Sequence, residues 1–184
     1  IKASWIRKNI GMVLQEPFLF SRTIAENISI TQREMPMEEI RQAAKIACVD
    51  DAITEFANGY DTMVGERGVT LSGGQKQRTA IARMLTQKTP IMVFDDSLSA
   101  VDAQTDAKIR QALRKNLGDS TVILISHRIT TLMQAECILV LDKGRVAEMG
   151  SHEELMQNHG IYRHIYDMQM TMPEALSEEV NQNE

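Results

Sequence analysis

Two short stretches decide the fold: LSGGQ at residues 71–75 and IMVFDD at residues 91–96. The second is a continuous apolar run that ends in two carboxylates, as expected of a buried parallel strand with ligand-binding groups at its carboxyl end. The first precedes a helical pattern in which Ile81, Ala82 and Leu85 share one face. Together the two stretches predict a loop, a helix and a buried strand in that order.

The apolar runs beyond this region also have the length of strands. Four such runs occur along the chain, at residues 10–14, 91–94, 122–125 and 137–141. Helical patterns separate the last three, around residues 104–116 and 129–134. This alternation predicts an α/β fold with a parallel sheet. The turn at residues 142–144 leads into residues 145–148 and predicts a hairpin at one edge of that sheet.

The middle of the chain carries helical patterns. Apolar side chains recur at helical spacing in residues 37–49, and residues 52–56 continue a second short helix. Ser72 is the natural N-cap of a third helix that reaches about Gln87. We therefore expect a helical subdomain over about residues 34–88.

The last part of the chain changes character. Ser151 and Glu154 are spaced as a capping box at the start of a further helix. After Met170 the residues are polar and acidic, and too poor in apolar groups to offset the entropy of ordering. We expect one domain over residues 1–170 and a flexible acidic tail over residues 171–184.

Composition narrows the class of protein. The chain has 184 residues, of which 43% are hydrophobic and 24% charged, as in an ordinary globular domain. A net charge of −5 argues against nucleic acid as a partner. No stretch approaches the roughly 18 to 20 apolar residues that span a bilayer. The chain opens on residues 1–6 without an initiator Met, which suggests a fragment.

The two cysteines, Cys48 and Cys137, lack the spacing of a metal site. We expect both to be reduced and to lie in the core, because free cysteine is among the most buried residue types. Reduced cysteines indicate a cytoplasmic setting.

The helix start at Ser72 suggests an anion site. A first turn of Gly73, Gly74 and Gln75 exposes unpaired N–H groups beside the Ser72 hydroxyl, which suits a phosphate group. The same residues are common in caps and turns, so this feature alone does not decide. Likewise, Asp95 could hold magnesium through water, but a strand that ends in Asp is equally often a cap or turn.

Taken together, the motifs resemble the nucleotide-binding domain of an ATP-binding cassette (ABC) transporter over about residues 10–169. Five motifs follow the order of that family: Gln15 as the Q-loop, residues 71–75 as the signature, Asp95 as the Walker B aspartate, residues 99–102 as the D-loop and His127 as the switch histidine. The resemblance implies the ABC ATPase fold of the P-loop NTPase type.

The resemblance also implies ATP and Mg²⁺ as ligands and assigns roles to residues. Those implied to bind nucleotide are Ser72, Gly73, Gly74, Gln75 and Asp102. Asp95 and Gln15 are implied magnesium ligands, and Asp96, His127 and Gln15 are implied catalytic residues. The alternative for His127 is a capped or core histidine. The remaining histidines are expected at the surface without a role: His152, His159 and His164.

Three stretches resemble exporters within the family: QEPFLF at 15–20, TIAENI at 23–28 and VGERG at 64–68. In exporters the last of these contacts the intracellular helices of the membrane domains. Taken alone, the charged pair within it equally fits a solvated turn.

Two features depart from the family pattern. No G-x-x-x-x-G-K-[ST] phosphate loop occurs, and only fourteen residues precede Gln15, so truncation is the expected explanation. Asp96 stands where fast-hydrolysing members carry Glu, which is one methylene longer. Because a misplacement of about 1 Å can cost on the order of 10²-fold in rate, a degenerate and slow site is predicted.

Cassettes of this family pair head to tail, so the signature of one chain completes the site of the other. The expected partners are a second ABC nucleotide-binding domain, in a homodimer or a heterodimer, and the transmembrane domains of the same exporter at the cytoplasmic face of the membrane. Asp96 favours one half of a heterodimeric exporter. The alternatives are a non-hydrolysing regulatory subunit and a soluble ABC ATPase of the chromosome-maintenance or translation type. The transported substrate, whether drug, lipid or peptide, stays open.

Overall fold

The computed structural model describes residues 1–32, 34–65, 69–97, 101–116, 118 and 120–170. The chain divides into two compact units, Ile1–Ile125 and Ser126–Glu184. Within the described residues, no helix is long and apolar enough to cross a membrane.

The first unit contains most of the regular structure. Its helices are α1 (Ala3–Asn9), α2 (Ile24–Ile28), α3 (Met37–Ile46), α4 (Asp50–Thr54), α5 (Gly73–Leu85) and α6 (Ala103–Asn116), with a 3₁₀ turn at Gly59–Asp61. Its strands are β1 (Ile10–Val13), β2 (Ile91–Asp95) and β3 (Thr121–Ile125).

The three strands form a parallel sheet in the order β1-β2-β3. Val13 pairs with Phe94, and Phe94 pairs with Leu124 on the other side. The middle strand is buried along Met92, Val93 and Phe94, which explains why its sequence is continuously apolar rather than alternating. Because the strands run in parallel, the residues that follow each of them meet at one edge.

The helix α5 carries the core of this unit. Its buried face includes Ala80, Ile81, Met84 and Leu85, and it contacts β1, α2 and α3. Burial of a full Leu, Ile or Met side chain stabilises by about 1.5 to 3 kcal/mol, so this face fastens the helix firmly to the sheet.

A buried polar cluster joins α3 to the turn at Gly59–Asp61. Tyr60 donates to Asp50 Oδ1 at 2.6 Å, and Arg41 donates to both Asp50 oxygens at 3.3 and 3.4 Å. Burial raises the pKa of Asp50, but the hydrogen bonds from Tyr60 and Arg41 outweigh it and hold that pKa below its ordinary value. The carboxylate is therefore ionised and links α4 to its neighbours.

The second unit is smaller. It contains α7 (Ile129–Leu132), the strands β4 (Ile138–Asp142) and β5 (Arg145–Gly150), α8 (His152–Gln157) and α9 at residues 161–170. The strands form an antiparallel hairpin in which Val140 pairs with Glu148. A separate core is built from Ile129, Ile138, Leu155 and Tyr162.

The structure confirms the predicted α/β class, the parallel sheet and the hairpin, with shorter elements in places. The pattern at 37–49 ends as a helix at Ile46, and α5 ends at Leu85. One expectation was wrong: the run at 137–141 was expected among the strands of the parallel sheet, whereas β4 pairs among the described residues with β5. The physical reason is the loop of Lys143 and Gly144, both at positive φ, which favours a tight two-residue hairpin.

Two further expectations need correction. Cys137 is exposed and Cys48 is only half-buried, although both are free thiols. His152 was expected at the surface but is half-buried, and its Nδ1 lies 2.8 Å from the Tyr162 hydroxyl. In addition, the helix α1 was not predicted; none of its residues is buried, so it leaves no apolar stripe in the sequence.

Candidate nucleotide site

The carboxyl edge of the parallel sheet brings two predicted site residues together. Gln15 lies two residues after β1, and Asp96 directly follows Asp95 at the end of β2. Gln15 Nε2 donates to Asp96 Oδ2 at 3.5 Å, the long limit of a hydrogen bond. Residues 81 positions apart in sequence thus meet.

The main chain of Asp96 is held in an uncommon conformation. Its φ is 43°, in the left-handed region that costs a non-glycine residue roughly 1 to 2 kcal/mol. Its N–H donates to Ile125 O at the end of β3, at 2.8 Å. Such strain persists where the surroundings enforce it and is frequent at functional sites. The edge of the sheet therefore sets the direction in which this carboxylate points.

The signature forms the start of α5. Ser72 Oγ accepts from Gln75 N at 3.2 Å, and Gln75 Oε1 accepts from Ser72 N at 2.9 Å, which is a reciprocal capping box. The N-cap role of Ser72 is confirmed, while the partnership with Gln75 was not predicted. Ser72 and Gly73 are exposed, and Gly74 is half-buried. In the described part of the chain, no hydrogen bond joins these residues to Asp96.

The signature helix is fastened to the segment that follows Gln15. Gln77 Nε2 donates to Gln15 O at 3.1 Å. Farther along α5, Arg83 donates to Phe18 O at 2.8 Å and to Asn27 O at 2.7 Å. Sequence analysis identified neither Gln77 nor Arg83, because no local pattern marks a contact between residues so far apart.

The Arg83 guanidinium is enclosed by this segment. Its Nη2 also donates to Asn27 Oδ1 at 2.8 Å, and its carbon lies 5.6 Å from the centre of the Phe20 ring. Burial lowers the pKa of Arg83, but a guanidinium stays charged at any ordinary pH. Asn27 is 0% exposed and itself donates to Phe20 O and Thr23 O. Segment 15–27 and α5 therefore form one hydrogen-bonded block.

Asp102 begins α6. Its Oδ1 accepts from Thr105 N at 2.9 Å, and hydrogen bonding with Thr105 lowers the pKa of the exposed Asp102 carboxyl. The structure thus places Asp102 as a helix cap, which leaves its predicted role toward nucleotide a prediction. Two other D-loop residues, Ser99 and Ala100, lie outside the described residues, as do Glu66 to Gly68 of the exporter-like loop.

His127 belongs to the second unit and is exposed. Its carbonyl oxygen accepts from Gln169 Nε2 at 2.7 Å. The neighbouring main chain is held as well, because Arg128 N donates to Ser126 Oγ at 3.1 Å. The imidazole side chain is therefore carried on a main chain that is fixed on both sides.

The residues at the sheet edge fit a magnesium ion that arrives with a nucleotide. Among the described residues there is no group of three or more His, Cys, Asp or Glu that could hold a metal. Mg²⁺, however, is usually bound by one or two carboxylates, with waters and substrate phosphates completing its shell. The carboxylate of Asp95 and the amide oxygen of Gln15 are of the required type.

Comparison with known proteins defines the class. Residues 1–99 match the family model described as ABC transporter. The chain therefore belongs to the ABC transporter family, as its motifs indicated.

Individual relatives place it more narrowly. The chain is 49% identical over 164 residues to the uncharacterized ABC transporter ATP-binding protein YknU of Bacillus subtilis, covering 89% of this chain and 28% of that protein. It is 45% identical over 168 residues to the leukotoxin translocation ATP-binding protein LktB of Mannheimia haemolytica, covering 91% and 24%. The chain thus spans about a quarter of the length of these curated relatives.

A solved structure agrees with the fold. A bacterial Atm1-family ABC exporter with ATP bound superimposes with a TM-score of 0.87 and 41% sequence identity, over 92% of this chain and 30% of that one. The expected ABC ATPase fold is therefore confirmed.

Proposed function

We propose that the chain is the energy-coupling domain of an ABC exporter, which binds and hydrolyses ATP at the cytoplasmic face of a membrane and moves a substrate across it. LktB, by its name, is a translocation ATP-binding protein, and the Atm1-family structure is an exporter with ATP bound. Their similarity to this chain supports the proposal.

The roles of the residues follow from their chemistry. Bound magnesium, held by Asp95 and Gln15, would neutralise phosphate charge. Asp96 would orient the attacking water, with its carboxylate steadied by the Gln15 amide. His127 would donate a hydrogen bond to a γ-phosphate oxygen. Such catalysis is mostly positioning and electrostatic stabilisation.

The observation that supports slow hydrolysis at this chain's own site is that the main chain of Asp96 is held in place. Its N–H is bound to Ile125 O at 2.8 Å, and its Oδ2 faces the Gln15 amide at 3.5 Å. With the main chain held there, the carboxylate cannot advance to the place that a Glu would reach. A shortfall of about 1 Å is enough to lower the rate on the order of 10²-fold.

The signature is proposed to serve a second ABC domain, paired head to tail. Ser72 and Gly73 are exposed, and the first-turn N–H groups of this 13-residue helix suit a phosphate. We propose that this domain differs from the present chain, so that the dimer has one intact and one impaired site.

Transmembrane domains of the same exporter are the other proposed partner. Exposed apolar side chains precede and follow Gln15, with Leu14 52% and Phe18 69% exposed. Arg83 and Gln77 of the signature helix bind the main chain of this segment. A displacement of the segment by the transmembrane domains would therefore move the signature helix as well. The exporter-like loop near Glu66 is proposed to contact the same membrane helices.

The test uses the complete exporter and isolates each site with changes in this chain alone. Ser72→Ala or Gln75→Ala should depress the partner's site. In the Ser72→Ala background, Asp96→Glu should raise the residual ATP turnover by about 10- to 100-fold, whereas Asp96→Asn should not raise it. If neither Ser72→Ala nor Asp96→Glu changes turnover, the division of roles is refuted.

A regulatory subunit that binds ATP without hydrolysing it is the second candidate, favoured by the same Asp96. It predicts that Asp96→Asn leaves turnover unchanged in the Ser72→Ala background. A measurable slow activity that Asp96→Asn abolishes would decide against it.

A further inference from the structure

One side chain of α9 holds the main chain on both sides of Arg128, next to His127. Gln169 Nε2 donates to His127 O at 2.7 Å, and Gln169 Oε1 accepts from Ile129 N at 2.9 Å. A single amide thus binds an acceptor and a donor two residues apart.

The contact supplies something that the local sequence lacks. Ile129 is the first residue of α7, and no side-chain hydrogen bond caps this helix from Arg128. The first N–H groups of a helix have no partner inside it. Gln169 provides the missing acceptor for Ile129, and through the same amide fixes the direction of the His127 carbonyl.

The amide can do this in one orientation only. Its oxygen must face the Ile129 N–H and its nitrogen must face the His127 carbonyl. A carboxylate at position 169 would still accept from the Ile129 N–H. It would, however, place a second acceptor against the His127 carbonyl oxygen, where the amide places a donor. The pair of contacts therefore distinguishes Gln from its closest isostere, Glu.

The helix that carries Gln169 is anchored at its beginning. Glu148 accepts from Ile161 N and Tyr162 N, a favourable place for a negative charge. A Cβ at Gly160 would collide with the Glu148 carboxylate, so glycine permits this close approach.

The same helix is also packed along its length. Tyr162 is 1% exposed in the core of the second unit, and Ile165, Tyr166 and Met170 pack against that core. Gln169 itself is exposed and is not needed for that packing. Its amide therefore has a fixed base from which to bind the loop of His127.

We propose that Gln169 is a positioning residue that sets the direction of His127 during ATP hydrolysis. This inference rests on the proposed role of His127. Gln169 itself contacts no nucleotide in this scheme. Loss of the Gln169 amide leaves the His127 side chain present but frees its main chain, so that the ring moves away from the productive position.

The test is a double-mutant cycle in the complete exporter, measured in the Ser72→Ala and Asp96→Glu background, which depresses the partner's site and in which the turnover of this chain's own site is expected to be highest. The variants are His127→Ala, Gln169→Leu and the pair. Gln169→Leu should lower kcat about tenfold with an unchanged KM for ATP, because a displacement of about 1 Å suffices. The double variant should be no slower than His127→Ala alone, because both changes remove one function.

Two further variants separate positioning from folding. Gln169→Glu has the same shape and should lower kcat as Gln169→Leu does. Met168→Ala changes the adjacent exposed side chain of the same helix and should leave kcat unchanged. Equal melting temperatures of the Gln169 variants and the parent would show that the fold is intact.

The outcomes are distinct. If His127→Ala lowers kcat while Gln169→Leu and Gln169→Glu do not, or if the effects of His127→Ala and Gln169→Leu multiply, the inference is overturned and the role of His127 stands. If His127→Ala leaves kcat unchanged, the proposed role of His127 fails and the inference fails with it.

Discussion

Replacing Arg83 by Met tests whether segment 15–27 and α5 form one block. The substitution keeps an unbranched stem of similar width and removes all three donors, which bind Phe18 O, Asn27 O and Asn27 Oδ1 at 2.7 to 2.8 Å. The expected result is local opening of α2 and the preceding loop while the rest of the fold stays closed.

The expected loss of free energy depends on whether each of the three acceptors finds another hydrogen-bond donor once Arg83 is replaced. Phe18 is exposed, so its carbonyl can bind water, and Asn27 Oδ1 still accepts from Phe20 N at 2.8 Å. Asn27 O, however, lies near the end of α2 in a fully buried residue and loses its donor. A buried acceptor without a partner costs about 1 to 3 kcal/mol, and a lost charged hydrogen bond about 1.5 to 3 kcal/mol.

Removing the guanidinium also removes the free-energy cost of burying its charge, which offsets part of this destabilisation. We therefore expect the opening free energy of α2 to fall by about 3 kcal/mol, which is roughly a 100-fold faster amide exchange.

Hydrogen exchange followed by mass spectrometry on the complete exporter would measure this. Peptides over residues 22–29 should exchange faster in Arg83→Met, while peptides over residues 138–150 should not change. Lys88→Met is the matched control, because its pair with Glu39 at 3.0 Å is exposed and such pairs contribute less than about 1 kcal/mol. A rise below about threefold at residues 22–29 would refute the reasoning.

Two other predictions concern titratable groups. The folded pKa of Asp50 lies below its ordinary value of 3.8, so its stabilising effect is present above that value and is lost as the pH falls through the folded pKa. Asp50→Asn should therefore flatten the loss of stability below about pH 4 in acid unfolding followed by circular dichroism; an unchanged acid limb would contradict this. Burial raises the pKa of the Cys48 thiol, whereas Cys137 is exposed, so a thiol reagent should modify Cys137 first. Cys137→Ser should then remove the fast phase of labelling; its persistence would show that Cys48 is the accessible thiol.

The parts of the fold that sequence predicted are those that local rules control. The strand β2 is continuously apolar over residues 91–94 because successive residues, which face opposite sides of the sheet, are buried, and the helix α5 begins where Ser72 can cap it. Both features leave a pattern within about ten residues of chain, which is the range over which periodicity and caps act. The edge that brings Gln15 to Asp96 then follows from the parallel order of the strands.

The parts that sequence missed depend on pairs with no such pattern. Arg83 and Asn27 are 56 residues apart, and Gln169 and His127 are 42 apart. Cys137 was expected inside because it starts an apolar run, yet it precedes a hairpin strand that alternates between buried Ile138 and exposed Leu139. In each case the side chain's surroundings are set by tertiary packing, which the local pattern does not contain.

The long-range contacts share one property that bears on Asp96. Gln77 binds the carbonyl of Gln15, Ile125 accepts from the N–H of Asp96, and Gln169 binds the carbonyl of His127. In all three contacts the hydrogen bond holds the main chain of Gln15, Asp96 or His127, and the side chain of that residue is not needed for it. A longer side chain at position 96 should therefore be accepted without moving its backbone. Asp96→Glu should accordingly change turnover while leaving the melting temperature unchanged, and a large loss of stability would show that the Asp96 carboxylate is itself part of the fastening.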